Sequence, residues 1–162
     1  MSELELPNNE PKSTYDLQVL QINSVVIYQD KEVRNIVGED VVLETKLAPD
    51  LWWSKFDLKS MVLVFLNLVA NACEAMPEGG NVFVTTELKG DRVEIHFDDK
   101  GIGIEHADLK HVFEPLWTKN KINNSGLGLS ISQKIIEDHK GSITIKSEKN
   151  SGTSVIISLP IH

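Results

Sequence analysis

Residues 57–76, DLKSMVLVFLNLVANACEAM, are almost wholly apolar from Met61 to Ala75, yet they carry Asn67 and Asn71. Asp57 suits an N-cap, and Pro77 followed by Gly79-Gly80 suits a stop, so the spacing predicts a helix between them. On that helix Asn67 and Asn71 stand at i and i+4 and project from one face, and Glu74 extends the stripe by a further i+3 step. A buried, unpaired amide costs roughly 1–3 kcal/mol, so both amides need partners. Hydrogen bonds in the core would serve, and so would a metal ion with its ligand. The helix alone leaves both open.

Outward toward the N-terminus, residues 1–15 read as a loose tail, because Met1–Ser13 is polar and acidic with two prolines and no period. Residues 16–162 read as one domain. Leu17, Leu20, Ile27 and Tyr28 suit a helix from Tyr15 to about Asn35, although the β-branched Val25-Val26-Ile27 cluster weighs against it. Val41–Leu47 alternates as a strand does, and Pro49 closes it into a turn holding Trp52 and Trp53. Outward toward the C-terminus, strands at about 81–88 and 92–97 flank Lys89-Gly90-Asp91 and predict a hairpin. The glycine-broken loop DDKGIGI follows, then a short helix near 106–111 and a polar loop over 113–125. A second amphipathic helix in GLGLSISQKIIEDH and strands at about 142–147 and 153–159 complete the chain. The pattern predicts an α+β fold: a two-layer α/β sandwich with a mixed, mostly antiparallel sheet and its helices on one face.

With 162 residues and a formal net charge of −8, the chain lacks the basic footprint that nucleic acid or an anionic membrane surface requires. A local phosphate site needs only a few well-placed donors and is compatible with that charge. The single cysteine, Cys73, lies in the apolar helix and is expected to pack there. No basic-then-apolar leader opens the chain and its longest apolar run stops at Asn67, so a cytoplasmic location is expected and Asn123-Asn124-Ser125 reads as a chance sequon.

Three stretches carry chemistry. An amide oxygen of the Asn67/Asn71 helix is a hard, neutral ligand that suits Mg²⁺, which keeps waters and takes phosphate oxygens for its other positions. Asp99-Lys100-Gly101-Ile102-Gly103 follows a strand. Two glycines there let backbone approach a flat ligand, and Asp99 can accept from an exocyclic amine such as that of adenine, where guanine presents a carbonyl. Gly126-Leu127-Gly128-Leu129 opens a helix whose unshielded N–H groups suit phosphate. Each alone is common: a DxGxG is usually a tight turn, and glycines precede many helices. Neither glycine run is a P-loop or a GxGxxG.

Taken in this order and at these separations, the motifs resemble the catalytic ATP-binding (Bergerat) domain of sensor histidine kinases, a fold shared with chaperone, gyrase and mismatch-repair ATPases. The likeness covers roughly residues 16–160. NLVANACEAM resembles the family's N box, DDKGIGI its first glycine box, FEPLWTK its F box, SGLGLSI its second glycine box, and HKGSITIKSEKNSGTSVIISLP its closing strands. EAMPEGG with FEPLWTK looks most like the nitrogen-regulation and oxygen-sensing branch. The resemblance implies that Asn71 holds Mg²⁺, Asn67 supports the phosphates, and Asp99 binds the adenine amine in a pocket shaped by Gly101 and Gly103. It implies that Thr153 reaches the adenine side through water, and that Ser125, Gly126, Leu127, Gly128 and Leu129 form the phosphate-side box. Residues 113–125 would be a lid hinged at Phe113, with Lys119 or Lys121 reaching the triphosphate.

The chain departs from the family pattern at Lys100, where asparagine is usual, and at Asn124, where glycine is usual. None of His96, His106, His111, His139 and His162 has the HE-rich, proline-followed setting of a phosphoacceptor, and His139 reads as structural or exposed. The resemblance therefore implies a monomeric catalytic fragment that donates the γ-phosphate of Mg-ATP to a histidine on a separate dimerisation domain, and through it to a response regulator. Relatives that hydrolyse ATP carry glutamate where Asn67 stands, and an asparagine cannot act as that base. The alternative is a stand-alone ATPase or nucleotide switch of the same fold.

Overall fold

The structure, a computed structural model, describes residues 14–27, 30–49, 53–117 and 128–162. Its elements in chain order are β1 (Leu17–Gln21), α1 (Asn23–Ile27), α2 (Asp30–Val37), β2 (Val41–Lys46), β3 (Trp53–Asp57), α3 (Leu58–Glu74), β4 (Gly80–Lys89) and β5 (Arg92–Asp99). They continue as α4 (His106–Leu109), α5 (Gly128–Asp138), β6 (Ser142–Glu148) and β7 (Gly152–Pro160).

Five strands form one sheet in the order β2-β4-β5-β7-β6, in which only β2 and β4 run parallel. Strand side chains alternate between faces. Val82 and Val84 on β4, Val93, Ile95 and Phe97 on β5, and Val155, Ile157 and Leu159 on β7 are buried in a core shared with Val64, Phe65, Leu68 and Val69 of α3 and Ile135 and Ile136 of α5. Phe65 meets Phe97 across this layer with ring centroids 5.4 Å apart. The helices thus cover one face of a mostly antiparallel sheet, as the hydrophobic pattern predicts.

Asp57 caps α3 as expected, accepting the Ser60 N–H at 2.8 Å. His139 is the buried support of that junction. Its Nε2 accepts the Asp57 backbone N–H at 3.0 Å while Nδ1–H donates to the Ile135 carbonyl at 2.6 Å, which fixes the tautomer. Tyr15 tilts over the His139 ring and its hydroxyl donates to Asp138, so the incoming chain is tied to the end of α5. Cys73 is half-buried and packs against the core.

Two readings of the N-terminal third are corrected. Residues 17–21 form a strand, and residues 53–57, expected to begin in a turn, form its antiparallel partner, with Leu17 opposite Asp57 and Gln21 opposite Trp53. The helix expected from Tyr15 to Asn35 is instead β1 followed by two short helices. A ribbon between residues so far apart in sequence is set by pairing, which local periodicity does not report. Asp98 and Asp99, expected in the loop, complete β5, and the expected helix near 106–111 is the single turn α4.

Candidate functional site

A cavity of about 270 Å³ opens where the C-terminal half of α3, the end of β5 and the start of α5 converge. Asn71 and Glu74 reach it from α3, Asp99 from β5, Gly128 and Leu129 from α5, and Thr153 from β7. Its apolar wall includes Leu68, Ala72, Phe97, Ile145 and Val155. The cavity thus combines an apolar wall with the Asp99 and Glu74 carboxylates, the Asn71 carboxamide and the N-terminus of α5.

Asp99 is held both by the sheet and by the loop that follows it. Gly101 N–H donates to its Oδ1 at 2.9 Å, the Thr153 backbone N–H also donates to the carboxylate, and Asp99 pairs with Thr153 in the β5–β7 register. Burial nevertheless pushes its carboxyl above the usual carboxylate range; those two bonds pull the other way, and neighbouring Asp98 adds to the rise. An ionised carboxylate offers about four acceptor positions. The two backbone donors leave others open to the cavity.

The glycines of DDKGIGI pack closely against the chain's own backbone. A Cβ on Gly101 would stand 2.4 Å from the Ala75 carbonyl oxygen, and one on Gly103 2.0 Å from that of Glu148. Their small size permits this close contact, and Gly103 also lines the cavity. The loop is clamped there, since Ile102 N–H donates to the Ala75 carbonyl at 2.9 Å and Asn150 N–H to the Ile102 carbonyl at 2.7 Å. A Cβ on Gly152, which the sequence reading passed over, would stand 2.0 Å from the Asp99 carbonyl oxygen.

Among the residues singled out beforehand, Asn71, Asp99, Gly103, Gly128, Leu129 and Thr153 meet around the cavity. Asn67 stands beside them, its carboxamide carbon 3.9 Å from where a Gly128 Cβ would be, but is not part of the wall. Phe113 is half-buried against the core, and its neighbours Val112 and Trp117 face the cavity instead. The only cue to Trp117 was its place within FEPLWTK. Lys119, Lys121, Ser125, Gly126 and Leu127 lie outside the described residues.

The family signature described as histidine kinase-, DNA gyrase B- and HSP90-like ATPase matches residues 56–162. The chain belongs to that family. Within it, the chain is similar to sensor histidine kinases and is a nucleotide-binding domain of their catalytic type. It is 35% identical over 157 residues to sporulation kinase E of Bacillus subtilis, covering 89% of this chain and 21% of that protein. It is 30% identical over 165 residues to the sensor histidine kinase ZraS of Escherichia coli K12, covering 99% of this chain and 33% of that protein. The chain thus spans between a fifth and a third of these relatives. Among solved structures, the mycobacterial sensor histidine kinase MprB superposes with a TM-score of 0.78 at 25% identity over 90% of this chain and 97% of that one. The catalytic domain of histidine kinase ThkA gives 0.74 at 26% identity over 90% and 96%. These likenesses establish the family and do not single out its nitrogen-regulation and oxygen-sensing branch. Among the described residues no helix is long and apolar enough to cross a membrane.

Proposed function

We propose that this chain is the catalytic part of a sensor histidine kinase: it binds Mg-ATP and presents the γ-phosphate to a histidine on a separate dimerisation domain, from which a response regulator is served. The observation that carries this reading is the convergence of Asp99, Asn71 and the N-terminus of α5 on one cavity.

Asp99 accepts the adenine amine while the purine lies against the apolar wall, and the N–H groups at the start of α5 meet phosphate oxygens. The donor set suits Mg²⁺: the half-buried Asn71 carboxamide is a hard oxygen ligand directed to the cavity, and the Glu74 carboxylate opens on it too. When bound, the ion neutralises charge on the phosphates. The chain's own residues supply position and shielding, which is the main protein contribution to phosphoryl transfer. Asn67 supports the phosphate side beside Gly128, and a lysine of the 113–125 stretch, Lys119 or Lys121, meets the triphosphate.

Asn67 cannot take a proton from water, whereas a neutral imidazole is already a competent nucleophile near pH 7. A histidine acceptor with slow hydrolysis of ATP therefore fits. Mixing the chain and Mg-ATP with the phosphoacceptor domain of its own parent kinase tests the proposal. Label is expected on histidine, acid-labile and alkali-stable. Steady phosphate release by the chain alone, with no transfer, would identify a free-standing ATPase instead.

A further inference from the structure

Three residues form a row across the sheet at the base end of the cavity. Asp99 on β5 pairs with Thr153 on β7, and Thr153 pairs with Ser147 on β6. Thr153 faces the cavity, and its Oγ1 lies 2.7 Å from Ser147 Oγ. Ser147 has further contacts: it accepts the Ile104 N–H at 2.8 Å and reaches the Gly152 carbonyl at 3.0 Å.

Counting protons fixes the direction of the row. A hydroxyl has one hydrogen and two acceptor positions. Ser147 spends its hydrogen on the Gly152 carbonyl, which accepts only. One acceptor position of Ser147 takes Ile104 N–H, so the other is left for the Thr153 hydroxyl. All three contacts are then satisfied, and Thr153 turns only lone pairs toward the cavity. In the opposite arrangement Ser147 would donate to Thr153 and forfeit its bond to Gly152.

We infer that Ser147 is a positioning residue for base selection: by taking the Thr153 proton it makes Thr153 an acceptor beside the Asp99 carboxylate, so that the base end selects a ligand bearing an exocyclic amine. Two acceptors side by side favour an amino group, or a water donating between it and the wall, and oppose a 6-oxo purine that presents a carbonyl there. The inference rests on the nucleotide reading of the cavity and deepens it.

The test is calorimetric titration of the chain with Mg-ATP and with Mg-ITP, which replaces the 6-amino group by oxygen. Ser147→Ala frees the Thr153 hydroxyl to donate, and the ATP:ITP affinity ratio is expected to fall about two- to tenfold, the worth of one hydrogen bond. Thr153→Ser keeps the ratio, Thr153→Val lowers it, and Ser147→Ala adds nothing in a Thr153→Val background because it acts through that hydroxyl. A merely structural serine would instead weaken both nucleotides equally and add to Thr153→Val. Ser147→Cys, whose thiol is a much weaker acceptor for the Thr153 proton, carries the same comparison if the alanine variant does not fold. An unchanged ratio in a chain that otherwise prefers ATP overturns the role of Ser147 alone. An unsubstituted chain that binds neither nucleotide overturns the reading of the cavity and this inference with it.

Discussion

Asn71 and Asp99 line the same cavity, although one sits on a helix beneath the sheet and the other ends a strand two elements later. The helix supplies a group suited to a cation and the sheet supplies a group suited to a base.

Asn71→Ala is expected to cut Mg²⁺-dependent ATP affinity by at least about tenfold while leaving affinity in excess chelator nearly unchanged. Alanine is the better helix former, so the thermal midpoint should hold or rise slightly. Titrations with and without Mg²⁺, alongside a melting curve, check both expectations. Equal affinities for Mg-ATP in variant and parent would remove Asn71 from the metal's coordination.

Asp99→Asn separates binding from stability. Folding raises the Asp99 pKa, so the folded chain holds that proton more tightly than the unfolded one. The group's contribution to stability is therefore greatest below its unfolded pKa and is lost as pH rises through the folded value. At neutral pH the buried charge is a cost, and the neutral amide relieves it. The ligand-free variant should melt no lower than the parent, and higher if its amide oxygen keeps both backbone bonds. Its ATP affinity should fall about ten- to a hundredfold, with a smaller ATP:GTP preference. A variant that melts well below the parent would show that the ionised carboxylate stabilises the fold.

Gly103→Ala and Gly90→Ala form a matched pair. Both glycines have positive φ, +67° and +62°, but a Cβ on Gly90 meets nothing within 4 Å whereas one on Gly103 runs into the Glu148 carbonyl. Gly90→Ala should cost only the left-handed penalty of about 1–2 kcal/mol. Gly103→Ala should cost clearly more and lower ATP affinity, because it pushes the loop away from β6. Denaturant unfolding of the two variants gives the difference directly.

The central helix, the β4–β5 hairpin, α5 and the last two strands were legible because each carries its own period and its own punctuation. Asp57, Pro77 and Gly90 mark boundaries that need no knowledge of the remainder. The β1–β3 ribbon was not legible, because Leu17 and Leu20 fit a helical spacing as well as a strand and their partners lie beyond residue 50. Of the candidate site, Asn71 and Asp99 could be singled out from their settings in the sequence, and both line the cavity. The spacing of Gly101 and Gly103 did not reveal that both also make room for the backbone of Ala75 and Glu148. The hydroxyl row from Ser147 to Thr153 was invisible, since only strand register brings those side chains together.

Asp57→Ala tests the junction under α3. The Asp57 carboxyl is held below the usual range, chiefly by its bond from Ser60 and against the opposing effect of burial. Its stabilisation is thus fully present above the unfolded carboxylate pKa and is lost as pH falls through the depressed folded value. Removing this cap should cost about 1–2 kcal/mol at pH 7, a fall of roughly 2–8 °C in melting temperature. The gap between parent and variant should close as the solution is taken below pH ~4. A gap that stays constant into acid would mean the cap's charge contributes nothing.

Thermal unfolding of the unsubstituted chain, with Mg²⁺ alone and with Mg-ATP or Mg-GTP added, tests the nucleotide reading most directly. A ligand bound only by the native state must raise the midpoint, by an amount that grows with concentration; at a hundred times Kd it adds about 2.7 kcal/mol. The account predicts a saturable rise with Mg-ATP, a much smaller one with Mg-GTP, and a reduced rise when a chelator removes the metal. Midpoints that stay together in millimolar Mg-ATP and Mg²⁺ alone would contradict it.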